Sequence, residues 1–179
     1  MVQKLITGYC RALSVLMVVC LALMVVMVFG NVVMRYGFNS GITLSEELSR
    51  WLFVWLTFLG AIIAMKEGAH LGSDTLVSRL PLAGKKLFFV AGHLLMLFVC
   101  WLLFKGAWDQ MLINLETTSA VMEASMAIFY ACGVVTAVSM ALILLNQLWR
   151  MLTGQLSEAE LIGVRESEEE PIDVPAPLK

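Results

Sequence analysis

Residues 43–66 read TLSEELSRWLFVWLTFLGAIIAMK, and this stretch decides how many times the chain crosses a membrane. Its uncharged part, Trp51 to Met65, is 15 residues long, short of the about 20 that span a bilayer. The residues before it make up the difference. Thr43-Leu44-Ser45-Glu46 fits a capping box, in which the Thr43 side chain accepts the N–H three residues on and Glu46 reaches back. A helix from Leu44 to Lys66 is then about 34 Å long at about 1.5 Å per residue, enough to cross. It puts Glu46, Glu47 and Arg50 at one interface and Lys66 at the other.

The other spans are cleaner. Ala12–Met34, Leu87–Phe104 and Ala124–Trp149 are uncharged runs of 23, 18 and 26 residues. The sequence therefore predicts an all-α integral membrane protein with four transmembrane helices, at about 12–34, 44–66, 87–108 and 124–149. Composition agrees. Of 179 residues, 60% are hydrophobic and 15% charged, against about 45–50% and about 25% in soluble domains. Such a chain lacks the polar surface to cover a soluble core. Lys4 and Arg11 precede the first span as they would a signal peptide, but the run is long and no A-x-A site follows, so it reads as an uncleaved anchor. Residues 1–154 form the membrane domain. Residues 155–179 hold seven acids and two bases and read as an acidic cytoplasmic tail too polar to order itself.

Orientation follows from Lys and Arg in the short connections. Lys4, Arg11, Lys66, Arg79, Lys85, Lys86, Arg150 and Arg165 fall on one side; Arg35, Arg50 and Lys105 fall on the other. Both termini are expected in the cytoplasm. No Lys/Arg cluster or aromatic–basic module points to nucleic acid.

Chemistry-bearing residues are few. Cys20, Cys100 and Cys132 lie within spans and Cys10 just before one, with no C-x-x-C spacing, so redox and disulfide roles are not expected. His93 lies inside the third span, with Thr57, Thr136 and Ser139 as candidate partners. One interhelical hydrogen bond of about 0.6 kcal/mol is its plainer reading. A lone in-span histidine cannot make a bis-His haem, and Glu67-x-x-His70 lacks the other carboxylates of a di-iron site. No P-loop, G-x-S-x-G, H-E-x-x-H or dinucleotide-binding pattern occurs. No enzyme activity, cofactor or metal is expected. Trp51, Trp55 and Trp149 read as interfacial anchors, and Lys105 as a snorkelling cation between Trp101 and Trp108.

The second helix carries the strongest pattern. Glu46 and Arg50 are spaced i,i+4, and Glu47 and Arg50 i,i+3, as ion pairs on a helix require. The stripe runs on through Phe53, Thr57, Gly60, Ala64 and Gly68 along one face. Small residues let backbones approach closely in lipid. The residues alone leave two readings open: packing among the four helices, or docking of another membrane subunit.

Four further segments carry a resemblance. Asn31-Val32-Val33-Met34-Arg35-Tyr36 closes the first span. Then come Ser45-Glu46-Glu47-Leu48-Ser49-Arg50, Trp55-Leu56-Thr57-Phe58-Leu59-Gly60-Ala61 and Lys66-Glu67-Gly68-Ala69-His70-Leu71. Their order and spacing resemble the small membrane subunit (DctQ-like) of tripartite ATP-independent periplasmic (TRAP) transporters, over Asn31 to about Asp74. The resemblance implies a bacterial inner-membrane, multi-pass accessory subunit. It implies a large DctM-like partner that holds the sodium and substrate sites and moves as an elevator. A periplasmic DctP-like protein would deliver an organic acid, such as a C4-dicarboxylate, a sialic acid or another sugar acid. In this frame Arg50, Phe53, Thr57, Gly60, Ala64 and Gly68 are expected to pack on the large subunit. Arg35, Glu46, Glu47 and Arg50 form an outer charge cluster in which Arg35 could pair with the acids. Lys66 and His70 lie at the cytoplasmic interface. The rivals are a stand-alone four-helix transporter, which would want an in-span acid that the first helix lacks, and a structural or electron-transfer membrane anchor.

Overall fold

Lipid offers no partner for a backbone N–H or C=O, so an uncharged run in a bilayer must satisfy its own backbone, and a helix does so. The computed structural model describes residues 2–67 and 81–154. It contains four helices: α1 (Val2–Gly37), α2 (Thr43–Lys66), α3 (Leu82–Ile113) and α4 (Ala127–Leu152). All four are long and apolar enough to cross a membrane. The expected tail, and with it Gly68 and His70, lies outside the described residues.

Two short connections, 38–42 and 114–126, sit at the same end of the molecule, called here the two-turn end. In the first, Asn39 adopts φ +50, a left-handed conformation that asparagine tolerates, and the Ser40 N–H turns back to the Met34 carbonyl at 3.1 Å. In the second, Ser119 N–H donates to Ala124 O and Met126 N–H to Thr117 O, at 2.9 and 2.8 Å. This small antiparallel bridge, with Glu123 at φ +51, consumes the backbone of residues expected to be helical. The fourth helix accordingly begins at Ala127 and not at residue 124.

The helices lie in a row. The extensive interfaces are α3 on α4, α1 on α2 and α2 on α4, so α2 and α4 are central and run in the same direction. The core is made by Leu13 of α1, Leu59, Ile62 and Met65 of α2, Cys100 of α3, and Met140, Ile143 and Leu144 of α4. Polar contacts cross the row too. Thr136 Oγ1 donates to the Phe58 carbonyl at 3.4 Å, and the Tyr9 and Ser139 hydroxyls meet at 2.8 Å. Trp51 is a core residue and not an interfacial anchor. It is 7% exposed, with its ring against Phe129 at 5.8 Å in a T-shaped pair. Trp149 and Trp101, by contrast, are exposed. Gly133 of α4 marks a close approach: a Cβ there would lie 2.8 Å from the Cβ of Ala107 on α3.

Candidate functional site

The charged residues gather where α1 ends and α2 begins. Asn31, buried on the last turns of α1, accepts the Ile42 N–H on Oδ1 at 2.6 Å. Its amide N–H reaches toward Glu46 Oε1 at 3.5 Å. Ser45 Oγ donates to the Met27 carbonyl at 2.7 Å. These contacts replace the capping box expected from sequence: the N-cap of α2 is Ile42, and no side chain of that segment caps it. Glu46 is drawn instead toward Asn31 and Arg35. The Arg35–Glu46 pair, at 3.8 Å with the side chains 66% and 58% exposed, is of the screened surface kind that contributes little.

Glu47 turns the other way. Its Oε2 accepts the N–H groups of Val121 and Met122, at 2.9 and 3.2 Å. One carboxylate thus ties the start of α2 to the tip of the α3–α4 connection. With both acids engaged elsewhere, the expected helix pairs to Arg50 do not form. Among the described residues Arg50 makes no ion pair, and it is exposed.

Below Arg50 on the same face, Phe53 is 57% exposed and Thr57 is exposed. The Thr57 hydroxyl donates to the Phe53 carbonyl one turn back, at 2.9 Å, so that hydroxyl is satisfied within its own helix. Further along, the stripe turns inward. Gly60 is half-buried, and a Cβ there would lie 3.3 Å from Met17 Cε of α1. Ala64 and Lys66 are also half-buried. The structure thus brings Arg35 and Glu46 together with Asn31 and sends Glu47 to the α3–α4 connection. It leaves Arg50, Phe53 and Thr57 as a separate open face.

His93 has a different partner from those expected. It is 1% exposed. Its Nδ1–H donates to the Phe89 carbonyl at 2.9 Å, and Nε2 lies 3.0 Å from Gln147 Oε1. The Gln147 amide offers both an acceptor and a donor, so the pair holds with Nε2 protonated or not. Thr136, Ser139 and Thr57 are each engaged elsewhere. The missed signal was register. On antiparallel helices of equal rise, residues at one depth share a midpoint, and His93–Gln147 and Ala107–Gly133 are both centred on Ala120. Among the described residues, all four cysteines are free, and no group of three His, Cys, Asp or Glu side chains could hold a metal.

Comparison with known proteins gives a consistent result. The family model described as tripartite ATP-independent periplasmic transporters, DctQ component, matches residues 24–154, which include every charged residue of this end. A Haemophilus influenzae protein described as a TRAP transporter small permease protein is 39% identical over 138 residues, 77% of this chain and 86% of its own length. A second of the same description and organism is 33% identical over 129 residues, 72% of this chain and 78% of that one. The C4-dicarboxylate TRAP transporter small permease protein DctQ of Vibrio cholerae is 33% identical over 86 residues, 48% of this chain but 37% of its own length.

Proposed function

The chain belongs to the DctQ component family of tripartite ATP-independent periplasmic (TRAP) transporters, and from that membership we propose that it braces a large elevator-type membrane subunit during sodium-coupled uptake of an organic acid. It is a small permease subunit and a multi-pass membrane protein. On the proposed reading it lies in the bacterial inner membrane with both termini in the cytoplasm. The two-turn end then faces the periplasm, where a binding protein delivers substrate. Sodium and substrate are held by the large subunit. A C4-dicarboxylate is the substrate named for the Vibrio cholerae relative; a sialic acid or another sugar acid fits the reading equally.

The observation that carries the bracing role is the open face of α2. Arg50, near a helix end and without an ionic partner among the described residues, is placed to meet an acid or carbonyls of a neighbour. Phe53 below it supplies a large apolar anchor, of the kind that dominates contact energetics. Lys66, at the far end of α2, would lie at the cytoplasmic interface.

The test is co-purification of the large subunit with tagged variants in mild detergent. Arg50→Glu and Phe53→Ala should each lower recovery several-fold and reduce uptake, with the amount of this chain in the membrane unchanged. Recovery and uptake at the parental level for both would sink the assignment of this face. Gly60→Leu is a poorer probe, because it would also collide with Met17 within the chain. Uptake by this chain alone in liposomes would favour the stand-alone transporter.

A further inference from the structure

A second feature lies on the α3–α4 pair, away from the α2 face. Between these helices runs an open groove of about 260 Å³, walled by Leu97, Trp101 and Phe104 on α3 and by Val138 and Leu142 on α4, with almost no polar surface. Its extent is informative. The uncharged run of this span is Leu87–Phe104, and the groove occupies only its half toward the two-turn end. At about 1.5 Å per residue, Leu97 to Phe104 covers roughly 10 Å, against roughly 15 Å for one leaflet's hydrocarbon. A spanning helix of another protein crosses the whole thickness. A single acyl chain needs one leaflet.

The end of the groove supplies the other half of the match. Lys105 follows Phe104 directly, and its Nζ lies 5.8 Å from the centroid of the Trp101 ring that walls the groove. Among the described residues Lys105 forms no ion pair. A cation held over an indole at the limit of an apolar run sits at headgroup depth, where its ammonium can meet a phosphate. Asp109, also exposed, stands one helical turn further out. We propose that this groove is a phospholipid site, with one acyl chain of the leaflet at the two-turn end lying between α3 and α4 and the lipid phosphate on Lys105.

The test uses the assembled protein in its native membrane, with a photoreactive side chain in place of Val138, which is 44% exposed. Illumination should give adducts whose added mass is that of a phospholipid. In parallel, native mass spectrometry of the detergent-extracted protein should show a retained phospholipid. Lys105→Gln should lower that retention at least about fivefold, with an unchanged elution profile, while leaving retention of added diacylglycerol, which has no phosphate, as it was. Adducts to a polypeptide, whether a second copy of this chain or another membrane protein, would overturn the proposal. So would the absence of lipid adducts, or equal phospholipid retention by Lys105→Gln.

Discussion

The contact between Gly133 and Ala107 sets how closely α3 and α4 approach, and it can be tested by moving one methyl group across the interface. A Cβ added at Gly133 would stand 2.8 Å from Ala107 Cβ. Non-bonded carbons rest at about 3.5–4.0 Å, so the new atom falls short by roughly 0.7–1.2 Å. Both atoms are fixed to helix backbones, so the helices themselves must part. Overpacking of this sort costs about 1–3 kcal/mol. Against it stands the helix propensity that alanine gains over glycine, about 0.8–1.0 kcal/mol. Gly133→Ala alone should therefore lose only about 0–2 kcal/mol, and Ala107→Gly alone should lose about 1 kcal/mol. The exchange Ala107→Gly with Gly133→Ala restores the single methyl and cancels the propensity terms, so it should return close to the parent. The double-mutant coupling then isolates the clash at about 1–3 kcal/mol. Cys10, Cys20, Cys100 and Cys132 are all buried and free, so a thiol-reactive fluorogenic dye reports unfolding in detergent; equilibrium unfolding in a mixed denaturing detergent supplies the free energies. Additivity of the two singles within about 0.5 kcal/mol, or a Gly133→Ala protein more stable than the parent, would refute the close approach.

Three other outcomes follow from the polar contacts. Asn31→Ala removes the acceptor that caps the entry to α2 and should lower stability by about 1–2 kcal/mol, read as a fall in the unfolding midpoint; no change would show that Ile42 N–H finds another partner. Gln147→Leu should destabilise by leaving His93 Nε2 unpaired, and adding His93→Leu should recover part of the loss, with a coupling of about 0.6 and at most about 1.7 kcal/mol; strict additivity would mean that the two side chains do not interact. Glu47→Ala should speed amide exchange at Val121 and Met122 by about tenfold or more, since charge-assisted bonds contribute about 1.5–3 kcal/mol, whereas Glu47→Gln keeps an acceptor and should lie between; unchanged exchange in Glu47→Ala would remove the clamp.

The four helices were legible because lipid leaves few options: uncharged runs of sufficient length must be helical, and α2 required only that its charged first turns be counted with its apolar part. What was not legible depended on neighbours. The bridge between Thr118 and Ser125 moves the start of α4, because backbone bonds within the connection compete with helix for the same N–H groups. Trp51 has the position of an interfacial anchor, but the fold buries it, with Phe129 of the parallel α4 against its ring. His93 could have been paired correctly with one further step. A hairpin of two helices has a single register, and folding the sequence about Ala120 brings Gln147 to the depth of His93, with Thr136 more than two turns away.

The charge cluster shows why local rules failed where the function is proposed to lie. Spacing alone assigns Glu46 and Glu47 to Arg50, and in an isolated helix that pairing contributes about 0.2–0.5 kcal/mol. The fold offers Glu47 something stronger: two backbone N–H groups on a turn that has no helix or sheet to satisfy them, each bond charge-assisted. Glu46 leans toward α1, where Asn31 and Arg35 lie, because Asn31 has already taken the Ile42 N–H and fixed the angle at which α2 leaves. The acids thus serve the three-dimensional closure of the two-turn end, and Arg50 is left over by that closure. On the proposed reading this surplus is the useful part. A cation paired within its own chain would have to break that pair before meeting a partner, whereas Arg50, which makes no ion pair among the described residues, can meet one directly beside the exposed ring of Phe53.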